Sequence, residues 1–157
     1  MTEEFDRYRH DLASAYLEHV RSIASEVKAL EERIDEYRER MCFVKGASYD
    51  GMPHSAPYPD AIPDAVAKLQ GMVSDYCSKL AAYADEQMEA GDALANLSRT
   101  EYRVALSKHY LRCVPWEQVC VDMGYTWDGM MKLRRRAVTE VYDQMPVEWR
   151  DPMHRAV

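Results

Sequence analysis

Between Met1 and Val44 the chain contains neither glycine nor proline. Apolar or aromatic residues stand at Leu12, Tyr16, Val20, Ile23, Val27, Leu30, Ile34, Tyr37 and Met41, and from Val20 the steps alternate 3, 4, 3, 4, 3, 4. That spacing puts one apolar seam along a helix, as in a coiled coil. No other feature constrains the chain as much. Residues 2–42 are predicted to form one long helix that must pack against a partner over most of its length. The intervening stretches, such as EERIDEYRER at 31–40, carry both charge signs and read as a solvated face.

The chain supplies a partner. Val66, Leu69, Val73, Tyr76, Leu80, Tyr83, Gln87, Ala90, Leu94 and Leu97 continue the same alternation, so residues 64–96 are predicted as a second long helix. Gln87 and Ala90 are weak seam positions, and Gly91 beside Asp92 is expected to loosen or kink the helix there. Between the two lies FVKGASYDGMPHSAPYPDAIP, residues 43–63, with two glycines and four prolines in 21 residues. Each proline removes a backbone donor and biases its predecessor away from the helical region, so this segment reads as a linker loop. The expected fold is all-α: a long antiparallel helical hairpin, coiled-coil-like, over residues 1–97. A dimeric bundle would satisfy the same seams.

Shorter elements follow, predicted as a small domain over residues 98–145. Ser98 with Glu101 three residues on has the form of a capping box for a helix over 99–112 that buries Tyr102, Leu106 and Tyr110. Pro115 suits the first turn of a short helix over 116–122, which points Val119 and Met123 inward. Gly124 falls where a tight turn needs an unhindered backbone. Thr126 is placed to cap a last helix that buries Met130, Leu133, Ala137 and Val141. Two short helices joined by such a turn have the layout of a helix-turn-helix. Residues 146–157 contain two prolines and read as a loose tail.

Charge singles out the same region. The chain is acidic, with net charge −7, and residues 1–98 alone carry −9. Residues 99–136 carry +4, with a basic run at Lys132, Arg134, Arg135 and Arg136 on the last helix. Wholesale electrostatic binding of nucleic acid is therefore excluded, and a local cationic face is not. No apolar run is long enough to span a membrane, and the charged N-terminus has no signal-peptide core, so the expected location is the cytoplasm. Cys42, Cys77, Cys113 and Cys120 form no CxxC pair and are expected to be reduced thiols. His109, Cys113 and Cys120 lack a fourth ligand at matching spacing, so no metal and no other cofactor is expected. There is no Gly-rich phosphate loop and no HExxH, so the chain is not expected to be an enzyme.

The segment EYRVALSKHYLRCVPWEQVCVDMGYTWDGMMKLRRRAVTEV resembles region 4 of sigma-70-type RNA polymerase factors. It more closely resembles short phage and prophage late-gene transcription regulators of the RinA and ArpU kind. Three pieces carry the resemblance: the helix ending HYLRC, the WEQVCVDMGY turn, and the arginine-rich helix followed by Ala137. The Gly51-Met52-Pro53 step between two long helices is similar too. The resemblance implies binding of double-stranded DNA, with the last helix in the major groove and the one before it across the backbone. It places Trp127, Asp128, Met131, Lys132 and Arg135 at the DNA, with Arg134 and Arg136 completing the basic run. A homodimer is expected, with RNA polymerase as a candidate further partner.

Each of these residues has a plainer role open to it. The cations suit the C-terminal half of any helix, and Asp128 suits the first turn, because of the helix dipole. Arg134 borders the buried Leu133. Trp127 can pack over the turn on Tyr125, and Gly129 can serve close packing between the two helices. Cys120 takes an inward position and is expected in the core. The first turn of the last helix has no Asn, Gln or Arg, the usual base readers. That favours a rival reading in which the coiled coil docks on RNA polymerase or another phage protein without reading DNA sequence.

Overall fold

The computed structural model describes residues 2–47 and 61–151, with side chains described for 2–41 and 63–151. Every element among them is helical: α1 Glu3–Ala47, α2 Ala61–Ala95, α3 Thr100–Leu106, α4 Trp116–Met123, α5 Trp127–Gln144 and α6 Val147–Arg150. None is long and apolar enough to cross a membrane.

Both long helices extend beyond their predicted ends into the expected loop. α1 takes in residues 43–47 and α2 begins at Ala61. Pro63 is the third residue of α2, in the first turn, where a backbone N–H has no intrahelical acceptor and its loss costs no hydrogen bond. The predicted loop therefore shrinks at both ends, and its remainder, 48–60, lies outside the described residues. α2 runs through Gly91 without interruption.

The chain forms two compact units. One is Glu26–Ala82. In it Ile34 is buried, whereas Val27, Leu30, Tyr37, Leu69, Val73, Tyr76 and Leu80 are half-buried. Val66 departs from the predicted seam and is 38% exposed. Lys79 donates to Glu26 at 2.9 Å, and the Lys68 ammonium sits 5.6 Å from the centre of the Tyr37 ring. As residue number rises along α1, the partner on α2 falls.

The other unit joins Met1–Ser25 to Tyr83–Val157. It has one apolar core. Leu12, Ala13, Tyr16, Leu17 and Val20 of α1 meet Ala90, Leu94 and Leu97. The same cluster takes in Tyr102, Leu106 and Tyr110, then Trp116, Val119 and Cys120, and finally Met130, Leu133, Ala137, Val138 and Val141. The predicted inward stripes are buried except for Met123, which is half-buried against the core, and Val138 joins them.

Three local expectations are corrected. Ser98 is not a helix cap: the N-cap of α3 is Arg99, with no side-chain hydrogen bond. The Ser98 backbone N–H and hydroxyl both donate to the carboxylate of Glu140 on α5, a charged acceptor that outcompetes the backbone. Pro115 is an N-cap in extended conformation, not the first helical residue. The expected tail is partly structured, since Pro146 starts the short helix α6. Trp149 lies against Tyr16 and His19, with ring centres 5.5 and 4.9 Å apart. Arg150 donates to the carbonyls of Asp143 and Met145, and Arg9 pairs with Asp143. Residues 152–157 of that tail lie outside the described residues.

The helix after Ser98 ends unusually. α3 passes into a π turn over Ser107–Leu111, and Cys113 then takes a left-handed conformation at φ 58°. The wider π turn carries both His109 and Tyr110 into the core. The His109 ring stacks on Trp116 with centres 4.2 Å apart, meets Tyr110 edge-on at 4.7 Å, and donates from Nδ1 to the Val114 carbonyl at 2.8 Å. His109 is only 5% exposed. Burial holds its pKa below the usual value; the Val114 bond and Glu18 oppose this, while Arg21 and Arg134 reinforce it.

The fold thus favours neutral His109, and below its ordinary pKa of about 6.5 the unfolded chain takes up a proton more readily than the folded chain does. Stability should fall as pH drops through that range. In urea unfolding at pH 7 and pH 5, His109→Phe should lose less stability between the two pH values than the parent chain does. An equal loss in both would show that His109 is not the group responsible.

Candidate nucleic-acid interface

α4 is short, and its end is set by one backbone conformation. Gly124 takes φ 70° and ψ 32°, the left-handed region that costs a residue with a Cβ about 1 kcal/mol or more. There the Gly124 N–H reaches the Val121 carbonyl at 3.3 Å, and the Tyr125 N–H reaches that of Cys120 at 3.0 Å. These bonds satisfy carbonyls that the helix end would leave unpaired. The chain then reverses into α5 within two residues. Thr126 is the N-cap, and its hydroxyl accepts from the Gly129 N–H at 3.1 Å.

Gly129 therefore has a local reason to lack a side chain. A Cβ there would lie 3.0 Å from the Thr126 hydroxyl oxygen and 3.7 Å from Tyr125. The constraint is the cap itself, not the approach of α4. Tyr125, rather than Trp127, is the ring that lies against the core next to the turn, while Trp127 stands 49% exposed.

One face of α5 is spent on the core, and the other is open to solvent apart from Met131, which packs partly against that core. Asp128, Met131, Lys132 and Arg135 follow one another at helical spacing and line a shallow trough open to solvent. Asp128, Lys132, Arg135 and Arg136 are exposed, and Met131 is half-buried. Thr139 bonds back to the Arg135 carbonyl at 2.8 Å, one turn earlier.

Arg134 stands apart from this group. Its guanidinium lies 5.2 Å from the centre of the Trp116 ring, on the side of the helix that faces α4. Burial raises the pKa of the neighbouring Tyr110, and the Arg134 charge opposes that rise. Of the four cations in the run, Arg134 braces α5 against α4, and the other three face water.

Several contributors were missed from sequence. The Arg134–Trp116–His109 stack joins α5, α4 and the π turn. The one available hint was that Arg134 sits between the buried Leu133 and Ala137. Asp122 on α4 takes Gln118 at 2.8 Å and Lys108 at 3.2 Å, and these bonds lower its pKa. Glu140 anchors Ser98 from α5, and nothing in the local sequence marks that pair.

Among the described residues no cluster of His, Cys, Asp or Glu has the geometry to hold a metal ion. His109, Cys113 and Cys120 are engaged separately: His109 with Val114, Cys113 beside the Arg21 carbonyl, and Cys120 in the core.

No protein-family model matches this sequence, and neither a curated protein nor a solved structure is significantly similar to it.

The cap and the glycine form a pair that can be tested together. Thr126→Ala should cost about 1 kcal/mol of stability in chemical denaturation. Gly129→Ala should be destabilising in the parent chain, because the new methyl presses on the hydroxyl. In the Thr126→Ala background the same change should be neutral or stabilising, as expected of alanine in a helix. Additive effects of the two substitutions would contradict this account.

Proposed function

We propose that the chain is a DNA-binding transcriptional regulator of phage or prophage type. In this reading α4, the Gly124 turn and α5 form a sigma-region-4-like helix-turn-helix. The long helices form an antiparallel hairpin that carries it, and two copies act as a homodimer in the cytoplasm. No catalysis is assigned to the chain. The observation that carries the reading is the free face of α5. On a chain of net charge −7, Lys132, Arg135 and Arg136 are exposed together beside an open trough, on a helix held firmly at its N-terminal end.

The mechanism follows from that placement. α5 lies in the major groove and α4 crosses the backbone. Lys132, Arg135 and Arg136 neutralise phosphates and release condensed counterions, which supplies most of the affinity. Arg134 makes no DNA contact in this scheme. It holds α5 at a fixed angle to α4 through Trp116, so that the cations arrive as a set. The acidic remainder of the chain repels the duplex and limits non-specific binding. A dimer presents two such helices to half-sites about 34 Å apart.

A second reading has its own support. Val121 on α4 is 74% exposed and Trp127 is 49% exposed, and exposed apolar and aromatic side chains are what a protein partner buries. RNA polymerase or another phage protein is the partner in that case.

Salt separates the two. Affinity for duplex DNA should fall with salt at a log–log slope of about −0.9 per phosphate neutralised. Lys132→Glu with Arg135→Glu should abolish binding while shifting stability by no more than about 0.5 kcal/mol, because both side chains are exposed. Absence of binding to any promoter-length duplex at low salt, with the protein folded, would refute the DNA reading in favour of a protein partner.

A further inference from the structure

The free face of α5 also says which bases it can read, and this inference rests on the DNA reading above. Asp128 is exposed, and among the described residues its carboxylate has no hydrogen-bond or ion-pair partner. It shares the open trough with Met131, one helical turn further on. These are unusual residues for a DNA-facing surface. An ionised carboxylate offers acceptors only and is repelled by phosphate, so it cannot serve as a backbone anchor. In the major groove guanine shows two acceptors, thymine an acceptor and a methyl, and adenine an acceptor beside a donor. Cytosine alone shows a donor with no acceptor of its own alongside. A carboxylate held in the groove therefore disfavours every base but cytosine, and selects partly by repulsion. Met131 has no donor or strong acceptor to offer, and its apolar thioether complements the thymine methyl.

The spacing fits neighbouring base pairs. Three residues of helix rise about 4.5 Å, about a third more than the ~3.4 Å between adjacent base pairs. Lys132 and Arg135 lie further along the same face, where they anchor the flanking backbone. Trp127, at the start of the helix, leaves the trough free, since it does not line it.

We propose that α5 selects a cytosine next to a thymine, through the Asp128 carboxylate and the Met131 side chain, in place of the guanine that an arginine in the first turn would read. Asp128 and Met131 are then specificity-determining residues, and Lys132 and Arg135 are not.

The test is selection of duplexes from a random pool with the full chain, followed by titration of the selected duplex. The parent chain should enrich a C·G pair beside a T·A pair. Asp128→Asn should move the first position toward adenine, because an amide pairs with adenine N6 and N7, and should weaken binding to the original duplex about tenfold. Replacing the enriched thymine by uracil removes only the methyl. It should weaken the parent chain severalfold and leave Met131→Ala unaffected. Three outcomes overturn the inference while leaving DNA binding intact: enrichment of guanine at the first position, no enrichment at all, or a uniform gain in affinity for every duplex with Asp128→Asn. The last would mean that Asp128 only repels phosphate. No binding of any duplex at low salt overturns the DNA reading and this inference together.

Discussion

The orientation of α5 depends on burial of one of its faces in a core drawn from distant parts of the chain. Met130, Leu133, Ala137, Val138 and Val141 pack against α3 and α4 and share one buried cluster with Leu17 and Val20 near the N-terminus and with Leu94 and Leu97 at the end of α2. Each large side chain contributes about 1.5–3 kcal/mol on burial, so the helix is held by several such terms rather than by its own propensity. With that face fixed, the opposite face has no choice but to present Asp128, Lys132, Arg135 and Arg136 to solvent. The exposed cations are a consequence of apolar packing on the other side.

Two polar devices refine what the apolar face begins. At the start of α5 the left-handed Gly124 and the Thr126 cap fix where the helix begins, so the residues that follow fall at defined angles around it. At its middle, Arg134 and His109, both set against the Trp116 ring, tie α5, α4 and the π turn together. The arrangement carries a cost. Among the described residues the Trp116 indole N–H is buried without a hydrogen-bond partner, and burial disfavours the charged form of His109. A segment whose only task was to be stable would not need a histidine there. The stack fixes the angle of α5 against the short helix α4.

The hydrophobic repeat made much of the fold readable. Long helices, the buried stripes of the short ones, the glycine at the turn and the threonine cap all follow from interactions within a few residues, which a linear reading captures. Two of the errors share a cause. Ser98 had the local form of a cap, yet its hydrogen bonds went to Glu140, 42 residues away. The C-terminal prolines suggested a loose tail, yet Trp149 found Tyr16 and His19 at the other end of the chain. Local propensity was overruled wherever a distant charged or aromatic partner was within reach.

The candidate interface divides along the same line. The sequence by itself determined that a cationic run lies on an amphipathic helix after a tight turn, because helical period and backbone sterics are properties of neighbouring residues. It placed Arg134 at the border of the buried face but could not say what that residue meets there. Arg134 and Arg135 are chemically identical in the sequence and lie about 100° apart around the helix. Only the tertiary structure, by placing Trp116 beside one and leaving water beside the other, made the first a brace and the second a free charge. The physical reason is that a side chain's role depends on what fills the space around it, and that space is bounded by residues far away in the chain.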